Sequence, residues 1–283
     1  MGALWGVTAM VMKKWAKILR YVVLVVTGLF FFVPFVWLIS TSLKGENQIF
    51  SYPPQWIPSP IRWQNYVEAF QAVPYLKYLL NSFTVTALAV LGNLLSVPPV
   101  AYAFSKLHWP GRDKLFLLVL ATMMLPFQIT MIPLYSIYVK LGWINTYLPL
   151  VLPDFFGKAY FVFMMRQFFN NIPNELLEAG RIDGASEFRI YFQLVLPLAR
   201  SAMVTVALFA FVWSWTDFLG PLIFLTDPDK WTISLGLSQF TTSYGFQWAQ
   251  LMAASAIFII PMVIFFFFMQ KSFIEGISTS GIK

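Results

Sequence analysis

Cysteine is absent from all 283 residues, and histidine occurs once, at His108. Disulfides and thiol chemistry are therefore excluded. A zinc or iron site built from Cys and His lacks its usual ligands, and no Ser-His or Cys-His nucleophile pair is suggested. His108 alone reads as a solvated loop residue. Charge is the second scarcity: 11% of residues are charged, against about 25% in soluble domains. A G-x-x-x-x-G-K-S/T phosphate loop is also missing, because the lone Gly157-Lys158 is followed by Ala159. This chain is not expected to hydrolyse ATP, or to act as an enzyme at all.

What is present is grease. Hydrophobic residues make up 59% of the chain, 19% are aromatic, and the mean hydropathy is +0.70. An integral membrane protein is the natural reading. The net charge of +7 is scattered rather than clustered, so it speaks to orientation and not to nucleic acid. A crossing needs about 20 mostly apolar residues. Segments 21–39, 83–104, 115–138 and 251–269 meet that test without one charge, and 201–225 meets it with Asp217 alone. Segment 147–169 is weaker, interrupted by Asp154, Lys158 and Arg166. Six spans of an all-α, single-domain fold are expected. The basic residues before the first run could imitate a signal peptide, but that run is too long, which predicts an uncleaved first span.

An even count places both termini on one side. With the amino terminus inside, 13 basic residues, among them Lys13, Lys14, Lys17, Arg20 and Lys283, face the cytoplasm. Five face out: Lys44, Arg62, Lys77, Lys140 and Lys230. That bias follows the positive-inside rule. Residues 40–82 then form an external loop in which "WQNYVEAF" reads as a short amphipathic helix. Pro34, Pro98, Pro99, Pro126, Pro133, Pro221 and Pro261 fall in the spans, and each tends to kink a helix. Together they suggest a bundle with an internal cavity.

Residues 170–200 stand apart as a cytoplasmic polar patch. Four of the twelve carboxylates, Glu175, Glu178, Asp183 and Glu187, sit within it. Pro173 suits a first helical turn, with Asn170 and Asn171 ahead as caps. At 100° per residue Leu176, Leu177, Gly180 and Gly184 share one arc, while Glu175, Glu178, Arg181 and Ile182 point elsewhere. Gly184 is a helix stop, and Ser186 caps a second helix running to Pro197. The small residues Ala179, Gly180, Gly184 and Ala185 let a foreign surface approach closely. A helix lying on lipid headgroups would instead be Lys-rich with bulky anchors.

Glu178-Ala179-Gly180, three residues, Gly184, nine residues, then Leu194-Val195-Leu196-Pro197 resembles the "EAA" loop of ABC importer permeases, whose pattern is E-A-A-x(3)-G-x(9)-I-x-L-P. Gly180 replaces the second Ala and Leu194 the Ile, with the spacing kept. "NYVEAF", "LLNSF", "AYAFSKLHWPGRD", "MMLPFQITMIPLYSIYVKLGWINTYLPLVLP", "WTDFLGPL" and "QKSFIEGISTSGIK" are similar to sequential landmarks of carbohydrate-uptake permeases. The match is nearer to the shorter, six-span subunit of maltose-type and glycerol-phosphate-type importers. Thr216 stands where that family usually has Asn, so a role for that amide does not carry over.

The resemblance implies a prokaryotic inner-membrane importer with a second homologous permease, a pair of ATPase subunits and an extracytoplasmic solute-binding protein as partners. ATP and Mg²⁺ would sit on the ATPase, with no cofactor in this chain. Glu178, Ala179, Gly180, Asp183, Gly184, Ala185, Leu196 and Pro197 would form the ATPase-coupling surface. A sugar or sugar-like solute is expected, and Trp213, Trp215, Asp217 and Phe218 are candidate pathway residues, since aromatic faces suit sugar rings. An ion-gradient-driven secondary transporter is the alternative; it would use Asp217, or the Asp154-Lys158 pair, for the coupling ion. An intramembrane enzyme would need paired carboxylates or a nucleophile constellation, and the spans offer isolated acids only.

Overall fold

The computed structural model describes residues 2–241 and 247–280, with side chains for 15–241 and 247–271. Lys283 and the last residues of "QKSFIEGISTSGIK", like the side chains of Lys13 and Lys14, lie outside them. Every regular element among the described residues is helical. The chain forms two compact units, residues 1–69 with 240–257, and residues 70–239 with 258–283.

The first unit is dominated by α1 (Gly2–Ser42), whose apolar side chains from Trp15 to Phe35 are exposed, as befits a helix facing lipid. Pro34 lies inside it without breaking it. The loop that follows folds back onto the helix end. Asn65, in α2 (Gln64–Ala72), donates from Nδ2 to the carbonyls of Ser42 and Lys44, each at 2.8 Å. The expected amphipathic helix is thus present, with Asn65 and Ala69 as its buried stripe, four residues apart.

The second unit is organised around α3 (Tyr75–Ser105), a 31-residue helix that carries Pro98 and Pro99 in its interior. Ala159–Asn170 (named α6 below) and Arg200–Thr216 (α9) pack on it. The core where they meet holds Val97, Ala101, Phe161, Met165, Phe169 and Val206 at no exposure. Gly92 of α3 lies against Phe155; a Cβ there would approach the ring to 2.6 Å. Glycine is needed at that approach.

Two expected spans are broken rather than continuous. The third divides into α4 (Arg112–Thr122) and α5 (Phe127–Lys140), inclined at 96°. Pro126 is the cause: it biases Leu125 away from helical geometry and itself stands extended, at ψ 143°. The segment after the short turn Leu148–Val151 tightens to a 3₁₀ turn over Leu152–Phe156 before α6 (Ala159–Asn170). The fifth span ends at Thr216, because Asp217 is extended and α10 (Leu219–Phe224) begins anew. Asp217 ends it by offering its own carboxylate to the Gly220 N–H at 3.1 Å.

The polar patch contributes α7 (Asn174–Ile182) and α8 (Glu187–Leu198), the latter bent 73° from α9 (Arg200–Thr216) at Ala199. Last comes α11 (Trp248–Ser280), with Pro261 inside. By length and composition Trp15–Ser42, Tyr75–Ser105, Leu148–Asn170 and Trp248–Lys271 can each cross a membrane, and the two bent pairs bring the number to six if each is one crossing. Pro34, Pro98, Pro99, Pro133 and Pro261 all lie inside helices that continue past them.

Candidate functional site

The polar patch is a helix, a corner and a helix, built as the residue pattern predicts. Gly184 has φ +79°, a conformation an L side chain resists. Around it the Ala185 N–H bonds to the Gly180 carbonyl and the Gly184 N–H to that of Arg181, both at 3.0 Å. This is the Schellman arrangement, which satisfies the last carbonyls of α7. Ser186 then caps α8 by accepting from the Arg189 N–H at 3.3 Å. One local expectation fails. Asn170 ends α6 and Asn171 caps its C-terminus, while Pro173 occupies the N-cap of α7. The preceding helix runs on until it has consumed both asparagines.

Within α8 the backbone widens to a π-helical turn over Tyr191–Val195. Pro197 has no N–H to give the carbonyl four residues back, and its ring crowds that carbonyl. The wider turn relieves both.

The corner is locked to α3. Arg181 Nε donates to Glu187 Oε1 at 2.6 Å across Gly184, and Tyr102 of α3 donates its hydroxyl to Glu187 Oε2 at 2.9 Å. The Arg181 guanidinium, ahead of the Tyr102 hydroxyl, holds the Glu187 carboxyl below its usual range. A second tie comes from Lys106, whose Nζ donates to the Ile172 carbonyl at 2.6 Å and to Asn174 Oδ1 at 2.8 Å. Lys106 is buried, and desolvation pushes its ammonium pKa down, with Glu175 opposing. Neither Tyr102 nor Lys106 was singled out from the sequence, because each lies in another segment and its partner is set by packing alone.

The faces of α7 divide clearly. Leu177 is buried, and Gly180 is turned inward with Ile190 so close that a Cβ would sit 3.3 Å from its Cγ1. Gly180 thus makes room for this chain's own second loop helix. Glu178, Ala179, Asp183 and Gly184 are exposed, Ala185 and Leu196 half-buried, and Pro197 exposed. Two bulky apolar side chains stand out beside them: Ile182, already placed off the Leu176–Leu177 arc by its helical position, is 85% exposed, and Phe188, not singled out from the sequence, is 79% exposed.

Deeper in the second unit, Asp154, Lys158, Trp213, Ser214 and Asp217 line a cavity of about 160 Å³. The sequence pair Asp154-Lys158 forms an ion bond of 3.1 Å, and Asn93 of α3 donates to the same carboxylate oxygen at 2.9 Å. Of the four candidate pathway residues, Trp213 and Asp217 border this cavity. Trp215 does not. It is fully buried, stacked on Phe211 and Phe258, with its indole N–H spent on the Phe258 carbonyl at 3.1 Å. Phe218 is 38% exposed and does not line the cavity. Among the described residues no group of three or more His, Asp or Glu side chains could hold a metal ion.

The fold is a set of membrane-length helices carrying a polar helix–corner–helix loop, and comparison with known proteins gives its family. Residues 92–279 match the family described as "binding-protein-dependent transport system inner membrane component". The chain belongs to that family, a transport component of the ABC importer class and not an enzyme. It is 37% identical over 227 residues to the arabinooligosaccharides transport system permease protein AraQ of Halalkalibacterium halodurans, covering 80% of this chain and 81% of that one. It is 31% identical over 277 residues to the sn-glycerol-3-phosphate transport system permease protein UgpE of Yersinia pestis, covering 95% and 98%. In fold it matches a chain of a bacterial ABC transporter that imports the acidic polysaccharide alginate, with a TM-score of 0.76 and 23% identity over 91% of this chain and 96% of that one.

Proposed function

We propose that this chain is one permease half of an ABC importer for a sugar or sugar-like solute. It crosses the cytoplasmic membrane of a prokaryote six times with both termini in the cytoplasm, and residues 170–200 form the lever that receives an ATPase. The observation that carries this reading is the locked corner. Schellman bonds shape the exposed loop and the Arg181–Glu187–Tyr102 relay ties it to α3, so that a push on the loop reaches a long apolar helix. A lever of this kind needs a stiff arm and a dock. Glu178, Ala179, Asp183, Gly184, Ile182 and Phe188 supply the docking face.

The partners follow from the family. A second homologous permease completes the pathway, a pair of ATPase subunits holds ATP and Mg²⁺, and an extracytoplasmic binding protein delivers solute. This chain then needs no cofactor of its own. One structural relative is a bacterial alginate ABC transporter in complex with an alginate pentasaccharide-bound periplasmic protein, which supports the last partner. The names of AraQ and of the diacetylchitobiose uptake permease NgcG of Streptomyces coelicolor support a carbohydrate solute. Within the chain, Trp213 and Asp217 border the solute path; Trp215 serves packing.

The test is co-purification followed by uptake in vesicles that contain the recovered subunits. Substituting Glu178 or Phe188 with a bulky or charged residue, for example Glu178→Trp or Phe188→Asp, should leave the chain in the membrane while uptake falls far more than ATP hydrolysis. Unchanged uptake with the ATPase still bound overturns the coupling role. Recovery of the chain alone, carrying solute on a proton or sodium gradient, overturns the importer reading.

A further inference from the structure

We propose that Asp154, Lys158, Trp213 and Asp217 form a solute subsite within this chain that accepts one neutral, polyhydroxylated ring and turns away anionic ones. The proposal rests on the permease reading and adds to it a site and a charge preference.

The cavity brings together residues from separate elements. Asp154 comes from the 3₁₀ turn before α6, Lys158 from the N-cap of that helix, and Trp213 and Ser214 from the last turn of α9. Asp217 stands where α9 is broken. Asp154 is more than nine-tenths buried, yet both bonds to its carboxylate, from Asn93 and Lys158, end on Oδ1. Oδ2 has no bond among the described residues, in a side chain that lines the cavity. Asp217 is held in place through the Gly220 N–H, and glycine is required there because a Cβ would collide with the Asp217 carboxylate and lie 2.9 Å from Leu150. Lys158 Nζ lies 5.6 Å from the Trp213 ring centroid, so the ammonium sits between an aromatic face and a carboxylate.

That inventory fits a sugar. Carboxylates only accept hydrogen bonds and hydroxyls donate them; the lysine donates to ring and hydroxyl oxygens. Trp213, 39% exposed, offers an indole for the C–H face of a pyranose or furanose. At about 160 Å³ the space is well under the roughly 300–1,000 Å³ of sites for drug-sized ligands. It therefore holds one ring of a longer solute at a time. Two carboxylates against one ammonium give a formal charge of −1. A solute carboxylate or phosphate would meet like charge in a partly dehydrated space, which disfavours its ionised form. On this basis the solute differs in charge class from those named for the glycerol-phosphate and alginate relatives.

The chain's lack of cysteine makes the test direct. Ser214→Cys places a single thiol on the cavity wall, and Gln55→Cys places one on an exposed loop as the reference. Both are expressed in permeabilised membranes and treated with cationic trimethylammonium-ethyl and anionic sulfonatoethyl methanethiosulfonates. The cationic-to-anionic rate ratio should be higher at Ser214→Cys than at Gln55→Cys by about tenfold, and Asp217→Asn should lower it. Glucose, arabinose or N-acetylglucosamine should slow the Ser214→Cys reaction, and galacturonate should not. Equal ratios at the two positions overturn the proposal. So do a silent Ser214→Cys beside a reactive Gln55→Cys, a lack of protection by every neutral sugar, and equal protection by galacturonate. Labelling needs no partner subunit, so the two readings fail separately. Loss of uptake coupling with selective labelling sinks only the importer reading, and coupled uptake with unselective labelling sinks only the subsite.

Discussion

Arg181 and Glu187 meet across the Gly184 corner at 2.6 Å, one on each helix of the loop, and the second oxygen of Glu187 is taken by Tyr102 of α3. The pair closes the corner, and the tyrosine ties the closed corner to the membrane-embedded helix. Both charged side chains are more than 40% exposed, so the pair itself is worth under about 1 kcal/mol. Its significance is geometric.

Acid should open this corner. The Glu187 carboxyl lies below its ordinary value of 4.5 in the folded chain, so the unfolded loop binds more protons in that window. The stabilisation is complete above the ordinary value and is lost as pH falls through the lower, folded one. Protection factors of residues 174–190 should therefore fall more between about pH 5 and pH 3 than those of α3. In Glu187→Gln the loop should exchange faster at neutral pH, and the acid step should disappear.

The two loop glycines should respond differently. Gly184→Ala forces a left-handed backbone on a side chain that meets nothing within 4 Å, so strain alone acts, at roughly 1–2 kcal/mol. Gly180→Ala removes a helix penalty of about 1 kcal/mol but presses on Ile190, and should come out near neutral. Adding Ile190→Val to Gly180→Ala should then stabilise the loop. Thermal unfolding of the three variants checks the signs.

Lys106→Met should loosen the start of α7. The substitution keeps much of the buried stem and deletes the ammonium that serves the Ile172 carbonyl and Asn174. An acceptor left buried and unpaired costs about 1–3 kcal/mol. Faster exchange at residues 172–176, with α3 unchanged, is the expected reading.

The two tryptophans of α9 should separate stability from transport. Trp215→Ala empties a fully buried site and should cost about 3–5 kcal/mol in stability. Trp213→Ala should cost far less, while raising the KM for solute in reconstituted vesicles. If Trp215→Phe shifts solute preference at unchanged stability, its assignment to packing is wrong.

Much of the loop was legible from residue order because its rules are local. A glycine at a helix end, a serine three residues before a helical N–H, and a proline that cannot donate each act within a turn or two. The asparagines before Pro173 show where such rules stop. Asn170 and Asn171 are good caps in isolation, yet α6 runs through Asn170 because Phe161, Met165 and Phe169 draw that helix against α3. Packing outweighed the cap.

Composition and apolar run length by themselves determined that this is a multi-span helical membrane protein with one polar loop, since few other solutions satisfy the backbone in hydrocarbon. They could not say which apolar side chains face lipid and which face protein, because both environments ask for the same residues. Tertiary structure decided that Trp215 is core while Trp213 borders a cavity, and that Gly180 receives Ile190. It also decided that Asp154 and Asp217, distant in the chain, share one lysine's neighbourhood. The breaks after α9 and before α6 bring those charges together. A chain read residue by residue records each break but not what lies on the other side of it.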